Sequence, residues 1–124
     1  MTDSQLFVNT PESVAAARRF AAAVADWLPG ETRGRLTLLV SELATNALQH
    51  GRTAFTVGLE RLDNAIKVEV SDTGPGVPTI TAASLDRPGG RGLRIVETLS
   101  DSWGVTPRPT GKTVWFVLKA ASSV

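Results

Sequence analysis

Glu42 and Asn46 stand four residues apart in the run Glu42-Leu-Ala-Thr-Asn46-Ala-Leu-Gln-His50-Gly51. On a helix that spacing points a carboxylate and an amide the same way. The carboxylate can take a proton from an attacking hydroxyl or water. The amide oxygen can ligate Mg²⁺, which takes one or two protein oxygens and completes its shell with phosphates and waters. A second carboxylate, Asp72, precedes Thr73-Gly74-Pro75-Gly76. An acceptor there suits the exocyclic amine of adenine, whereas guanine offers an oxygen at that place. Gly74 and Gly76 let the backbone approach a flat base or a sugar. Further on, Gly90-Arg91-Gly92-Leu93 opens a helix, and backbone N–H groups at such a start attract a polyphosphate. Together these residues suggest a pocket for a nucleotide and one hard metal ion.

Each pattern also has a plainer reading. Glu42 and Asn46 fit a solvated polar stripe on an amphipathic helix. Asp-Thr-Gly-Pro-Gly is ordinary turn chemistry. Arg87 and Arg91 can add charge to a phosphate site or simply face water. His50, the single histidine, suits a helix C-terminus electrostatically without any catalytic role. Trp27, Trp103 and Trp115 are assigned to core or partner packing. Two resemblances fail outright. Gly90-Arg-Gly92 is not a dinucleotide fingerprint, because Ile95 stands where the third glycine belongs. Thr110-Gly111-Lys112-Thr113 is not a P-loop, because Thr106 replaces the first glycine and a strand follows instead of a helix.

The elements that must position these groups follow from periodicity. Leu6-Phe-Val8 reads as a short strand. Thr10 and Pro11 start a helix over Glu12 to Leu28, with Val14, Ala17, Ala21, Val24 and Leu28 on one face, and Pro29-Gly30 ends it. A second helix covers about Arg33 to His50. Leu36, Leu39, Val40, Leu43, Ala47 and Leu48 form its core stripe, and Gly51 follows as a C-terminal cap. The period then changes to two. Ala54 to Glu60 and Ala65 to Ser71 read as a hairpin turning at Leu62-Asp63-Asn64. Residues 73–92 carry three prolines and show little periodicity, and a stretch that long inside a domain is commonly functional or disordered. Gly92 to Ser100 reads as a third helix with Leu93, Val96 and Leu99 inward. Trp103 to Val105 and Thr113 to Lys119 read as closing strands. The order implies an α+β fold, with one antiparallel or mixed sheet and helices on one face.

Bulk properties narrow the function. The 124 residues fit a single domain spanning 1–124. Hydrophobic content of 42% and charged content of 20% match a soluble globular protein. A net charge of +1 gives no basic field for nucleic acid. Cysteine is absent, so there is no disulfide framework. No long apolar run or signal-peptide pattern stands out. A cytoplasmic protein without membrane attachment is expected.

Order and context bind the weak motifs together. A helix with Glu-x-x-x-Asn, a strand ending Asp-x-Gly-x-Gly, a loose loop and a Gly-x-Gly-Leu helix start make a demanding series. The sequence resembles the GHKL ATPase superfamily and, within it, the small bacterial anti-sigma-factor serine/threonine kinase type. The likeness runs from about Leu6 to Leu118. It includes the ending Asn46-Ala-x-x-His50-Gly51 and the late strand Gly111-Lys-Thr-Val-Trp-Phe-Val-Leu118.

The resemblance implies a two-layer α/β sandwich of the Bergerat type, with a mostly antiparallel sheet and three helices on one face. It implies ATP and Mg²⁺ as ligands. Asn46 matches the magnesium asparagine, and Glu42 matches the general base. Asp72 matches the reader of the adenine amine, with Gly74 and Gly76 shaping the turn around the base. Residues from about Pro75 to Gly90 match the ATP lid. Gly90 and Gly92 match the second glycine box, with Arg91 and Leu93 beside them at the phosphates. Thr113 matches the threonine that supports Asp72 at adenine. The partners implied are an anti-anti-sigma antagonist, phosphorylated on serine, and a sigma factor held by the kinase. A homodimer is the implied assembly. A non-catalytic module that grips a partner only with ATP bound is the alternative. The catalytic half of a histidine kinase is set aside. That reading would expect a dimerisation helix with a phospho-accepting histidine ahead of the domain, and His50 lies inside the nucleotide helix.

Overall fold

Period-two alternation builds the sheet. In the computed structural model, which describes residues 2–51, 53–74 and 91–120, five strands pair in the order β1-β2-β3-β5-β4. They are β1 (Thr2–Phe7), β2 (Phe55–Leu62), β3 (Ala65–Asp72), β4 (Ser102–Pro107) and β5 (Lys112–Lys119). Every neighbouring pair is antiparallel, so the option of a mixed sheet falls away for the described strands. The β2–β3 hairpin turns at Asp63-Asn64, where Asn64 has φ of 56°. Asparagine tolerates that left-handed backbone better than most residues.

Register carries apolar rows across the sheet. Val57, Val70 and Val114 stand in line, as do Leu59, Val68 and Phe116. These side chains are buried against three helices, α1 (Glu12–Val24), α2 (Gly30–Asn46) and α3 (Arg91–Leu99). Helix α2 contributes Leu36, Leu39, Val40 and Leu43, all buried at helical spacing. Helix α1 contributes Ala17 and Ala21, small enough for a close approach, and α3 contributes Val96. Each fully buried Leu, Val or Phe stabilises the fold by roughly 1.5–3 kcal/mol relative to exposure. Phe7 pins edge strand β1 to this core, stacked on Phe55 at 5.5 Å and edge-on to Phe20 at 6.0 Å.

Two helix limits differ from the sequence reading. Helix α1 stops at Val24, because Ala25 leaves helical geometry and its N–H closes the last turn on Ala21. Leu28 still reaches the core, from the turn that follows. Helix α2 begins at Gly30 and not near Arg33. Pro29 is extended (ψ 147°), and its carbonyl accepts the first helical bond from Arg33 N–H at 2.9 Å. Pro29-Gly30 therefore starts one helix as well as separating it from another.

Helix α2 fixes where the polar residues lie. Near its start, the Thr32 hydroxyl donates to the Ala120 carbonyl at 3.4 Å, and Ala120 N–H donates to Asn64 at the β2–β3 turn. The helix therefore begins at the hairpin end of the sheet. Its 17 residues span about 25 Å, close to the roughly 27 Å of eight-residue β3. The last turn of α2 thus arrives at the Asp72 end. The opposite end also receives α3, through Asp101, whose N–H meets Val117 and whose carboxylate accepts Lys119 N–H.

Candidate functional site

Asn46 is the last residue of regular α-helix in α2, and Ala47–Gly51 continue as one wider π-helical turn. Such turns frequently mark functional sites. Asn46 is 8% exposed, and among the described residues no group is hydrogen-bonded to its side-chain amide. Among the described residues no buried side-chain polar atom lacks a partner, so the Asn46 amide keeps some contact with solvent and is open to a ligand. Its single neutral oxygen suits Mg²⁺, which needs few protein ligands. Among the described residues there is no cluster of three acidic, histidine or cysteine side chains, so a metal held there would rely on the asparagine and on ligand oxygens. The residues present fit a Mg²⁺–nucleotide complex. Glu42 lies one turn back on the same helix and is partly exposed.

Asp72 ends β3 on the core-facing side, continuing the row Ile66, Val68, Val70. Its carboxylate is 4% exposed and both oxygens are engaged. Oδ1 accepts the Gly74 N–H at 3.1 Å, a local turn that aspartate favours. Oδ2 accepts Lys112 Nζ at 2.8 Å. Register explains the second contact, since Asp72 and Lys112 stand directly opposite on β3 and β5. The chain reaches Lys112 through Gly111, which has φ of 88°. A Cβ at Gly111 would lie 2.0 Å from the Asp72 carbonyl oxygen, so a bare glycine is required there.

The α2 end and the β3 end meet. The loop after the π-helical turn offers the Thr53 hydroxyl to Thr73 N–H at 3.3 Å, next to Asp72. Asn9 Nδ2 holds the Thr53 carbonyl at 2.9 Å. Asn46, Asp72, Gly74 and Lys112 therefore share one end of the sheet.

Thr113 does not support Asp72 as the resemblance implied. Alternation puts it on the other face of β5, opposite Ser71. Its hydroxyl bonds Ser71 Oγ at 2.8 Å and accepts Arg108 Nε at 2.8 Å. The side chain on the Asp72 carboxylate is Lys112. In the sequence this lysine is marked only by parity: it precedes Val114, Phe116 and Leu118 on an inward row. Arg91, Gly92 and Leu93 open α3 as expected. Gly76, Gly90, Arg87 and the whole lid over 75–90 lie outside the described residues.

The tryptophans serve packing. Trp103 lies against the core. Arg61 sits 3.9 Å over the Trp27 ring. Trp115 lies on the open sheet face, over Gly104 and 5.2 Å from Lys67 Nζ. Among the described residues no helix is long and apolar enough to cross a membrane.

Comparison with known proteins adds independent information. The family model of the histidine kinase-like ATPase domain matches residues 7–118. Blue-light-activated histidine kinase 2 of Erythrobacter litoralis is 38% identical over 99 residues, covering 70% of this chain and 28% of that protein. The histidine kinase AfsQ2 of Streptomyces coelicolor is 41% identical over 44 residues, 36% of this chain and 8% of its own length. The chain thus spans less than a third of either relative. Among solved structures, the RsbU and RsbW domains of Rv1364c from Mycobacterium tuberculosis align with a TM-score of 0.77 at 15% identity, covering 100% of this chain and 34% of that one. At that identity the likeness is one of fold. The histidine kinase domain of E. litoralis EL346 aligns with a TM-score of 0.62 at 28% identity, covering 86% of this chain and 60% of that one.

Proposed function

This chain belongs to the histidine kinase-like ATPase domain family, and on that premise we propose that it is an ATP-dependent regulatory protein kinase of the anti-sigma-factor type. Residues 1–124 form its one domain, with 75–90 as the lid, in the cytoplasm. The observation that carries the reading is that the Asn46 amide, with no hydrogen bond among the described residues, closes α2 at the sheet end where the Asp72 carboxylate closes β3. A family of ATPase domains supplies the nucleotide, and these two groups supply its base and metal contacts.

Asp72 accepts the adenine amine while Gly74 leaves room beside it. Asn46 Oδ1 would hold the Mg²⁺ of the nucleotide complex. Mg²⁺, when bound, neutralises phosphate charge. Glu42 accepts the proton of a partner's serine hydroxyl as its oxygen bonds to the γ-phosphorus and the bond to the β-phosphate oxygen breaks, releasing ADP. Positioning and electrostatics do most of the work in such a transfer. The α3 start, with Arg91, Gly92 and Leu93, directs backbone N–H groups to the phosphates, and Gly76 and Gly90 are assigned to nucleotide binding by the resemblance. The protein partner is an anti-anti-sigma antagonist. Its new phosphate adds nearly two negative charges and breaks a close interface. The unmodified antagonist frees a sigma factor held by a homodimer of this chain.

The fold likeness to an RsbW-containing protein supports this reading. A second reading is favoured by the 38% identity to a histidine kinase, in which the phosphoryl group goes to histidine. A third use, ATP-gated binding without transfer, needs Asn46 and Asp72 but not Glu42. Incubation with γ-labelled ATP and candidate antagonists separates them. Acid-stable label on a partner serine, lost in Glu42→Ala with ATP binding retained, is the expected result. Acid-labile label points to histidine. ATP binding without label points to the gated module.

A further inference from the structure

The ion pair between Asp72 and Lys112 goes beyond the adenine contact assigned above, and the inference rests on that assignment. A lone carboxylate sorts purines by mismatch. It accepts from the adenine amine but meets an acceptor, O6, in guanine. Here a cation stands beside it. Lys112 Nζ lies 2.8 Å from Asp72 Oδ2, and the two side chains are 10% and 4% exposed. An ammonium has three donors and no acceptor. One of the three meets Asp72, and among the described residues no other acceptor is hydrogen-bonded to it. The carboxylate has about four acceptor positions. The Gly74 N–H and Lys112 use two of them.

The pair therefore presents a charged donor and a charged acceptor side by side. Adenine can give its amine to Asp72 and needs no bond from Lys112. Guanine can present O6 to Lys112 and give N1–H and its 2-amine to Asp72. Each base has a complementary arrangement. We propose that Lys112 is a specificity-determining residue that widens this base pocket from adenine to purines, so that guanine nucleotides bind within about tenfold of adenine nucleotides. The size follows from a charge-assisted hydrogen bond, which is worth about ten- to a hundredfold in affinity and offsets the mismatch at O6.

The test measures ATP and GTP binding by calorimetry in Mg²⁺ for the full chain and for Lys112→Met and Lys112→Arg, with circular dichroism to check folding. The unaltered protein should bind both nucleotides within about tenfold. Lys112→Met should lose about tenfold or more for GTP with ATP changed far less. Lys112→Arg, which keeps charge and donors, should hold the original ratio. If Lys112→Met does not fold, the unaltered protein and Lys112→Arg still decide. An ATP preference above about a hundredfold in the unaltered protein exceeds what that hydrogen bond allows and overturns the inference alone, as would equal effects of Lys112→Met on both nucleotides. Failure to bind either nucleotide at millimolar concentration removes the proposed site and the inference together.

Discussion

Lys112→Met removes one half of a buried ion pair and strands the other. Methionine is about as long as the lysine stem and keeps its packing. The loss is the countercharge at 2.8 Å, which leaves Asp72, 4% exposed, with the Gly74 N–H. Breaking a buried pair from one side costs about 3–5 kcal/mol. Unfolding entropy of about 2.1 cal/mol/K per residue over 124 residues comes to about 260 cal/mol/K. The midpoint of thermal unfolding should therefore fall by about 12–19 °C. Adding Asp72→Asn makes the pair neutral and should recover more than half of that loss, because no charge is then left buried. The assay is thermal and urea unfolding of the nucleotide-free protein, followed by circular dichroism, across all four members of the double-mutant cycle. A fall of less than about 4 °C for Lys112→Met would mean the pair acts like an exposed one. So would additivity of the two single changes. Either result refutes the burial argument.

Other consequences are simpler to score. Gly111→Ala places a methyl 2.0 Å from the Asp72 carbonyl at φ of 88° and should cost more than about 2 kcal/mol, beginning with about 1–2 for the backbone alone; a melt unchanged within error would contradict the close approach of strand and turn. Leu36→Ala, at a fully buried position of α2, should cost about 2–5 kcal/mol in urea unfolding, and a cost under about 1 kcal/mol would show that the α2–sheet interface is not the core described. Glu42→Ala should leave ATP affinity within about threefold, since a partly exposed carboxylate acts on the proton and not on the nucleotide, and abolish transfer in the labelling assay; retained transfer would remove it as base.

Local pattern makes much of this legible. The core stripe of α2, the alternation of β3 and the pairing of Glu42 with Asn46 are properties of neighbouring residues, and periodicity exposes them. Asp72 is visible because a strand with clean alternation runs into glycines. Helix limits at Val24 and Gly30 are not, since Pro29-Gly30 serves equally to stop one helix and to start another. What sequence leaves hidden is registration between distant strands. Lys112 looks like part of a failed phosphate loop until β5 is set against β3, and only then does its charge fall on Asp72. The same register sends Thr113 to Ser71 and Arg108, because neighbours on a strand face opposite sides. The demand for glycine at 111 is likewise tertiary, set by the Asp72 carbonyl pressed against it.

The most direct measurement is calorimetric titration of ATP into the unaltered protein and Asn46→Ala, each with and without Mg²⁺. The account predicts that Mg²⁺ strengthens binding to the unaltered protein by about tenfold or more, of the size of a charge-assisted contact, and that this gain vanishes in Asn46→Ala while the fold is kept. Equal Mg²⁺ dependence in the two proteins, or no ATP binding by either, would contradict it.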